Sequence, residues 1–322
     1  MPKQLKRALM QPMKTNWPKI LKKGHKNKGN TCSGCCVEKL IEEGGKVENA
    51  FKALFAHFVK NSKCDNGEYE LWGKDDENEN KHYNQNNQLI MISRMRKVTG
   101  PAKKLKGAER IEQKCNTKYK YRISQTHEVP TRYINDVVRG TMTFKNCTDM
   151  LAALNFVHNN ENKPINISTS NVIKYKVVRI KQIYMPRSEL LYGDVKLNIQ
   201  LTAEGYRHNC ELQLNHLDMI KAKGTKEGHG AYETWRNLDD ECWAKYHKEL
   251  PTSVAEMPSE FQGKAQKAIH ASHQAYHKAD MAIHNDPKFQ AVLNKVDSWS
   301  TDIKSKIATN AIIPYDKPPK VS

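Results

Sequence analysis

The chain lacks any run of about 18 apolar residues, so nothing in the sequence reads as a membrane-spanning helix. It lacks acidic residues before Glu38, and its opening MPKQLKRALMQPMKTNWPKILKKGHKNKG has no apolar stretch of the kind a secretory leader needs. A cytoplasmic protein without membrane partners is therefore expected. The opening is Lys-rich and Ser-poor, unlike Arg- and Ser-rich transit peptides. A solvated disordered tail is its blandest reading, and a basic arm touching RNA or phosphate the functional one. Internal repeats are lacking too. The 8 cysteines are scattered, and without a leader they read as reduced thiols. Only Cys32, Cys35 and Cys36 cluster. They could offer zinc three thiolates, with Cys64 or His25 as a fourth ligand, but the second well-spaced pair of a structural zinc site is missing.

What the chain has in excess is positive charge: 53 Lys and Arg against 35 Asp and Glu, a formal net charge of +18. This points to anionic partners such as nucleotides, nucleic acid or an anionic surface, without choosing among them, and a Lys-rich solvated surface is the alternative. At 322 residues, 38% hydrophobic and a mean hydropathy of −0.79, the chain is polar but able to bury a core.

Periodicity divides the chain. Residues 1–36 read as a basic disordered arm. Residues 37–88 read as a helical region, interrupted at Gly44-Gly45, followed by a polar, Asn-rich loop over 61–88. Apolar spacing predicts helix over 89–116. After it come alternating runs at 137–144, 171–184, 193–201 and 209–214, with an amphipathic helix at 147–159. From 215 helical spacing returns, broken near Pro251 and Pro258. The expected fold is α/β, a mixed sheet of about four to five strands flanked by helices, with 89–250 as the central domain and 251–322 as a helical extension. The His-rich amphipathic run 260–283 reads as a packing or homo-oligomer helix.

The most informative run is Asp194-Val195-Lys196-Leu197-Asn198-Ile199-Gln200-Leu201, with a perfect period of two. Val, Leu, Ile and Leu form one face; Asp194, Lys196, Asn198 and Gln200 form the other. The next run repeats the device, Cys210, Leu212 and Leu214 against Glu211 and Gln213. A short connection makes the two an antiparallel hairpin. If both apolar faces meet one core, Asp194, Lys196, Asn198, Glu211 and Gln213 line a single polar surface. Carboxylates, an amine and amides together suit a phosphate and metal site, although a wet sheet face also explains the alternation. Asp136 precedes a further strand carrying Arg139, Thr141 and Thr143 on one side. Upstream, Lys106, Arg110 and Lys114 are spaced four apart, with Lys103 and Lys104 beside them. Such like charges on one helical face repel unless a polyanion lies among them. Downstream, His229, Tyr232, Glu233 and Arg236 share one helical face.

Five segments, KLKGAERIEQK (104–114), INDVVRGTMTF (134–144), YGDVKLNIQL (192–201), CELQL (210–214) and MIKAKGTKEGHGAYETWR (219–236), follow the order found in RelA/SpoT-like (p)ppGpp synthetases, which the stretch from about 100 to 240 resembles. The resemblance implies a nucleotidyltransferase-like fold and a pyrophosphokinase that moves pyrophosphate from ATP to a ribose 3′-hydroxyl, releasing AMP. It implies Mg²⁺ held by Asp136 and Glu211; Arg139 is a catalytic candidate that could substitute, from the same face, for the arginine of the family's strand motif. It places Lys104, Lys106, Arg110 and Lys114 on the ATP phosphates. Tyr192 falls where the family stacks a tyrosine on guanine, and Asp194, Lys196, Asn198, Gln213 and His229 fall on the acceptor side. The chain departs from the family's motifs at Arg139 and Thr141, at Tyr192-Gly193, and at Asn215 after the Glu-x-Gln. These changes surround the acceptor pocket. GTP or GDP, the 3′ end of tRNA (the acceptor of some toxin members), and a non-catalytic RNA- or partner-binding role on the same fold therefore all stay open.

Overall fold

A computed structural model describes residues 34–62, 79–83, 89–95, 111, 134–166, 172–184, 189–203, 205–246, 250–251 and 253–308, with backbone alone for 34–39, 79–83, 89–95 and 307–308. In chain order the elements are α1 (Gly34–Asn61), β1 (Glu79–Tyr83), β2 (Leu89–Met95), β3 (Arg139–Phe144), α2 (Cys147–Asn159), β4 (Ile165–Asn166), β5 (Val172–Gln182), β6 (Val195–Ala203), β7 (Tyr206–His216), α3 (Leu217–Gly224), α4 (Lys226–Tyr246), α5 (Ser259–His284) and α6 (Phe289–Ala308). The strands form one mixed sheet in the order β1-β2-β3-β7-β6-β5-β4. Only the central pair, β3 and β7, runs parallel; the other neighbours are antiparallel. The α/β class matches expectation. The strand count is larger, because short outer strands extend the sheet at both ends.

Alternation gives the sheet two unlike faces. Met142 and Phe144 of β3, Val195, Leu197, Ile199 and Leu201 of β6, and Cys210, Leu212 and Leu214 of β7 are all essentially inaccessible. They share a core with α1, α2 and α6, to which Phe51, Leu54, Phe58, Leu154, Val157, Val292 and Trp299 contribute. α2 is started by the Asn146 side chain, whose Oδ1 accepts from the Asp149 amide at 2.8 Å. The opposite face carries the polar residues; α3 packs against α4 and α5, and Met219, Tyr276 and Ile283 join the same core. Helix α5 is tied to the β5–β6 connection, where Ser272 Oγ donates to the Leu190 carbonyl and His273 Nε2 lies 2.9 Å from the Glu189 carbonyl.

Three sequence expectations are corrected. Residues 89–95 are strand, not helix, paired antiparallel to β3 with Met91 opposite Phe144 and Arg94 opposite Thr141. A short apolar run cannot be assigned by spacing alone, and here the free edge of β3 decides it. Within the expected 61–88 loop, residues 79–83 form β1 against β2. Gly44-Gly45 does not break the first helix, because α1 is continuous over 28 residues. Burial of Leu40, Val47, Phe51, Leu54 and Phe58 outweighs about 1 kcal/mol per glycine. Cys32, Cys64 and His25 lie outside the described residues, as do the side chains of Cys35 and Cys36. Among the described residues no helix is long and apolar enough to cross a membrane.

His208 of β7 points into the core, 5% exposed, its Nε2 without a hydrogen-bond partner among the described residues. Burial pulls its pKa down to about 4. The unfolded chain binds this proton near pH 6.5 and the folded chain does not, so stability falls as the pH drops through that window. Urea unfolding is expected to give about 2 kcal/mol less stability at pH 5 than at pH 8 from this group, by linkage. His208→Leu should flatten that part of the profile.

Candidate active site

The polar face is built in rows by strand register. Asn198 of β6 lies opposite Glu211 of β7, and Arg139 of β3 lies on Glu211's other side. In the next row Lys196, Gln213 and Thr141 stand in line. Parallel pairing fixes the first row through the Glu211 amide, which donates to the Val138 carbonyl at 2.9 Å. Gln213 Nε2 donates to Glu211 Oε1 at 2.6 Å, and Thr141 Oγ1 donates to Gln213 Oε1 at 3.4 Å. Gln213 is thus held with its amide turned to the carboxylate. Asp136 sits three residues before β3 and is partly exposed.

Glu211's carboxyl is pushed above the usual carboxylate range. Burial is the largest cause and the like charge of Asp136 the second; Lys196, the Gln213 hydrogen bond and Arg139 pull the other way. The like charge of Asp136, three residues before β3, is thus felt at Glu211 and makes ionisation of that carboxyl costlier. Lys196 bonds Asp194 Oδ2 at 3.3 Å. Burial opposes its charge, but Asp194, Tyr232 and Glu211 together raise its pKa. Asn198 is 7% exposed beneath this row.

No protein-family model matches the chain, and no curated protein matches it. Among solved structures, a GTP pyrophosphokinase family protein from Streptococcus pneumoniae is similar at 12% identity over 80% of this chain and 94% of its own, with a TM-score of 0.35. Small alarmone synthetase 1 from Bacillus subtilis, bound to its product pppGpp, is similar at 12% identity over 77% of this chain and 97% of its own, TM-score 0.37. Small alarmone synthetase 2 from the same organism gives 13% identity, 74% and 94% coverage, and 0.33. At TM-scores this low, the chemistry has to come from the residues of the sheet face themselves.

Asp194 is 1% exposed, and beside Lys196 it accepts the Tyr192 hydroxyl at 3.0 Å. Its Oδ1 is buried and has no partner among the described residues. Lys223 at the end of α3 donates to the Tyr192 hydroxyl at 3.2 Å, and its ammonium lies 4.6 Å from the centre of that ring and 5.2 Å from the centre of the Tyr232 ring. Burial lowers the Lys223 pKa, opposed by Asp194 and reinforced by Lys196 and Arg139. Lys223, Tyr192, Asp194 and Lys196 thus form one chain of contacts ending beside Glu211. Lys223 and Tyr232 are not singled out as site residues by the sequence. A lysine in the last turn of a short helix carries no local signal, and Tyr232 stands out only as a member of the His229 face.

Tyr192 is 5% exposed, with the Tyr276 and Tyr232 rings at 5.7 and 5.9 Å. Among the described residues these two rings and the Lys223 ammonium pack against it. Gly193 next to it is required by packing, since a Cβ there would sit 2.1 Å from the Tyr184 ring. His229 is exposed on α4 and pairs with Glu233 at 3.3 Å, which also takes Arg236 at 3.5 Å. Its described contacts lie on the helix surface, not in the Glu211 cluster. Lys104, Lys106, Arg110 and Lys114 lie outside the described residues. The remaining polar face sets the acids Asp136, Glu211 and Asp194 among the cations Arg139, Lys196 and Lys223. Such a set is balanced when a polyphosphate meets the cations and a divalent ion meets the acids.

Proposed function

We propose that this chain is a pyrophosphokinase that transfers the terminal pyrophosphate of ATP to a ribose 3′-hydroxyl and releases AMP. What supports the reading is Glu211 in mid-strand between Arg139 and Asn198, with Lys196 in the next row and the like charge of Asp136 felt at its carboxyl. The donor set fits Mg²⁺, which takes one or two carboxylates and completes its shell with phosphate and water oxygens. Asp136 and Glu211 would hold it, and it would supply charge neutralisation at the ATP phosphates.

The chain's own residues do the rest. Glu211, its proton affinity raised by burial, orients the acceptor hydroxyl and takes its proton. Gln213 fixes the carboxylate that does so. Arg139 and Lys196 stabilise charge on the transferred group. Lys104, Lys106, Arg110 and Lys114 are proposed on the ATP phosphates, as the motif order implies. Lys196, Asn198 and Gln213 face the acceptor, while Tyr192 and Asp194 hold Lys196 in place. His229 is assigned to the acceptor by the motif order alone. GTP or GDP is the first choice of acceptor. A 3′ end of tRNA is the second, favoured by the basic outer strand β5 beside the site.

ATP labelled in its β- or γ-phosphate, offered with GTP, GDP or deacylated tRNA, tests the proposal. Label should appear in one acceptor, with AMP formed in equal amount. Label in none of the three would leave a non-catalytic binding protein on this fold.

A further inference from the structure

The sequence of β5, VIKYKVVRIKQ, places cations out of simple alternation. Lys174 and Lys176 stand two apart, then Arg179 and Lys181 follow after an odd step. The register shifts between Val177 and Arg179 where β5 pairs with β6. A β-bulge absorbs the odd step, so that Val177 and Val178 are both buried and Arg179 returns to the face of Lys174 and Lys176. Lys174, Arg179 and Lys181 are exposed and Lys176 is half-buried. Each lies in register with a polar-face residue of β6: Lys174 with Thr202, Lys176 with Gln200, Arg179 with Asn198 and Lys181 with Lys196. Four cations therefore climb one face over roughly 20 Å, at about 3.3 Å per residue. They run two strands, or about 10 Å, from the Glu211 row.

Lysines commonly guard a sheet edge against pairing with other chains. That role needs charge at the edge, not four cations on one face kept in phase by a bulge. Positive charge also continues inward. Arg207 of β7 lies across from Thr202, and its like charge, after burial, helps to lower the pKa of Lys176. Glu161, whose charge favours the Lys176 cation, is engaged by the Val177 amide at 2.5 Å and the Trp299 indole at 3.1 Å. Like charges gathered this way repel, and a string of phosphates relieves them.

We propose that the outward face of β5 binds a single nucleic-acid strand, leading it past the Glu211 row. Lys174, Lys176, Arg179 and Lys181 each meet a backbone phosphate. As the route of an acceptor the track rests on the transferase reading; as a binding surface it does not.

The test uses the full chain and a labelled 12-nucleotide RNA ending in a 3′-hydroxyl, with affinity measured by anisotropy between 50 and 200 mM salt. Four single-strand phosphate contacts contribute about 2.8 to the slope of log affinity against log salt. The variant K174Q/K176Q/R179Q/K181Q should lose that slope, so the wild type falls about 50-fold more than the variant across this range. A control with the same charge removed from the exposed Lys264, Lys267, Lys278 and Lys288 should keep the wild-type slope. Equal losses in both variants, an unchanged slope in the β5 variant, or equally tight β5-dependent binding of inorganic polyphosphate or anionic vesicles would overturn the proposal. Pyrophosphate transfer to GTP or GDP is measured in parallel and should be equal in wild type and β5 variant. RNA binding lost in the β5 variant, with no transfer by the wild type to any acceptor, would retain the track and reject the enzyme.

Discussion

Glu211→Gln is expected to abolish pyrophosphate transfer, by roughly 10³-fold or more, while leaving the protein folded and at least as stable. The first half follows from position. Glu211 is the mid-strand acid facing Asn198 and Arg139, and the proposal gives it both the divalent ion and the acceptor's proton. Losing one preorganised group at a charge-developing centre already costs about 10²–10³ in rate. The second half follows from electrostatics. Burial and the Asp136 charge make the ionised carboxylate unfavourable, and glutamine removes that charge at equal volume. The hydrogen bond from Gln213 can be kept by the new amide oxygen. Steady-state transfer and urea unfolding, measured on the same preparation, check both halves. A site optimised for reaction and not for stability should behave in this way. Transfer within tenfold of wild type would remove Glu211 from the mechanism.

Asp194→Ala is expected to destabilise the fold by about 3–5 kcal/mol, the usual loss when one member of a buried ion pair is removed. Asp194 is 1% exposed and takes both the Lys196 ammonium and the Tyr192 hydroxyl. Alanine would leave Lys196 without its counter-charge and break the line of contacts that runs from Lys223 through Tyr192. Lys223, already disfavoured as a cation, would lose the acid that most supports its charge. Asp194→Asn should cost less, because an amide oxygen still accepts the tyrosine hydroxyl. Adding Lys196→Met to Asp194→Ala should recover part of the stability by removing the stranded charge, a coupling that a double-mutant cycle in urea would read directly.

The polar face was legible in the sequence because its cause is local. A period of two over Asp194–Leu201 and again over Cys210–Leu214 fixes which side chains share a face, and one apolar core fixes how the hairpin sits. That Asp136 and Glu211 belong to one site is implied only by the motif order, since nothing local says that β3 and β7 are parallel neighbours. Strands β1 and β2 were missed because ENKHY carries no apolar alternation and LIMISRM fits helix and strand equally well; pairing to the edge of β3 settles them. The bulge in β5 was written in the Val177-Val178 doublet, yet its meaning, four cations brought to one face, needs the register with β6. Lys223 was out of reach for another reason. Its contacts with Tyr192 and Tyr232 join residues 31 and 9 positions away, across elements whose packing no periodicity encodes.

The central claim is that Asp136 and Glu211 serve one divalent ion. Mn²⁺, titrated by electron paramagnetic resonance in the presence of a non-hydrolysable ATP analogue, tests it most directly. One tightly bound ion per chain is expected, weakened more than roughly 100-fold by Asp136→Asn and equally by Glu211→Gln, a loss that even outer-shell changes can reach. Unaltered Mn²⁺ affinity in either variant would contradict it.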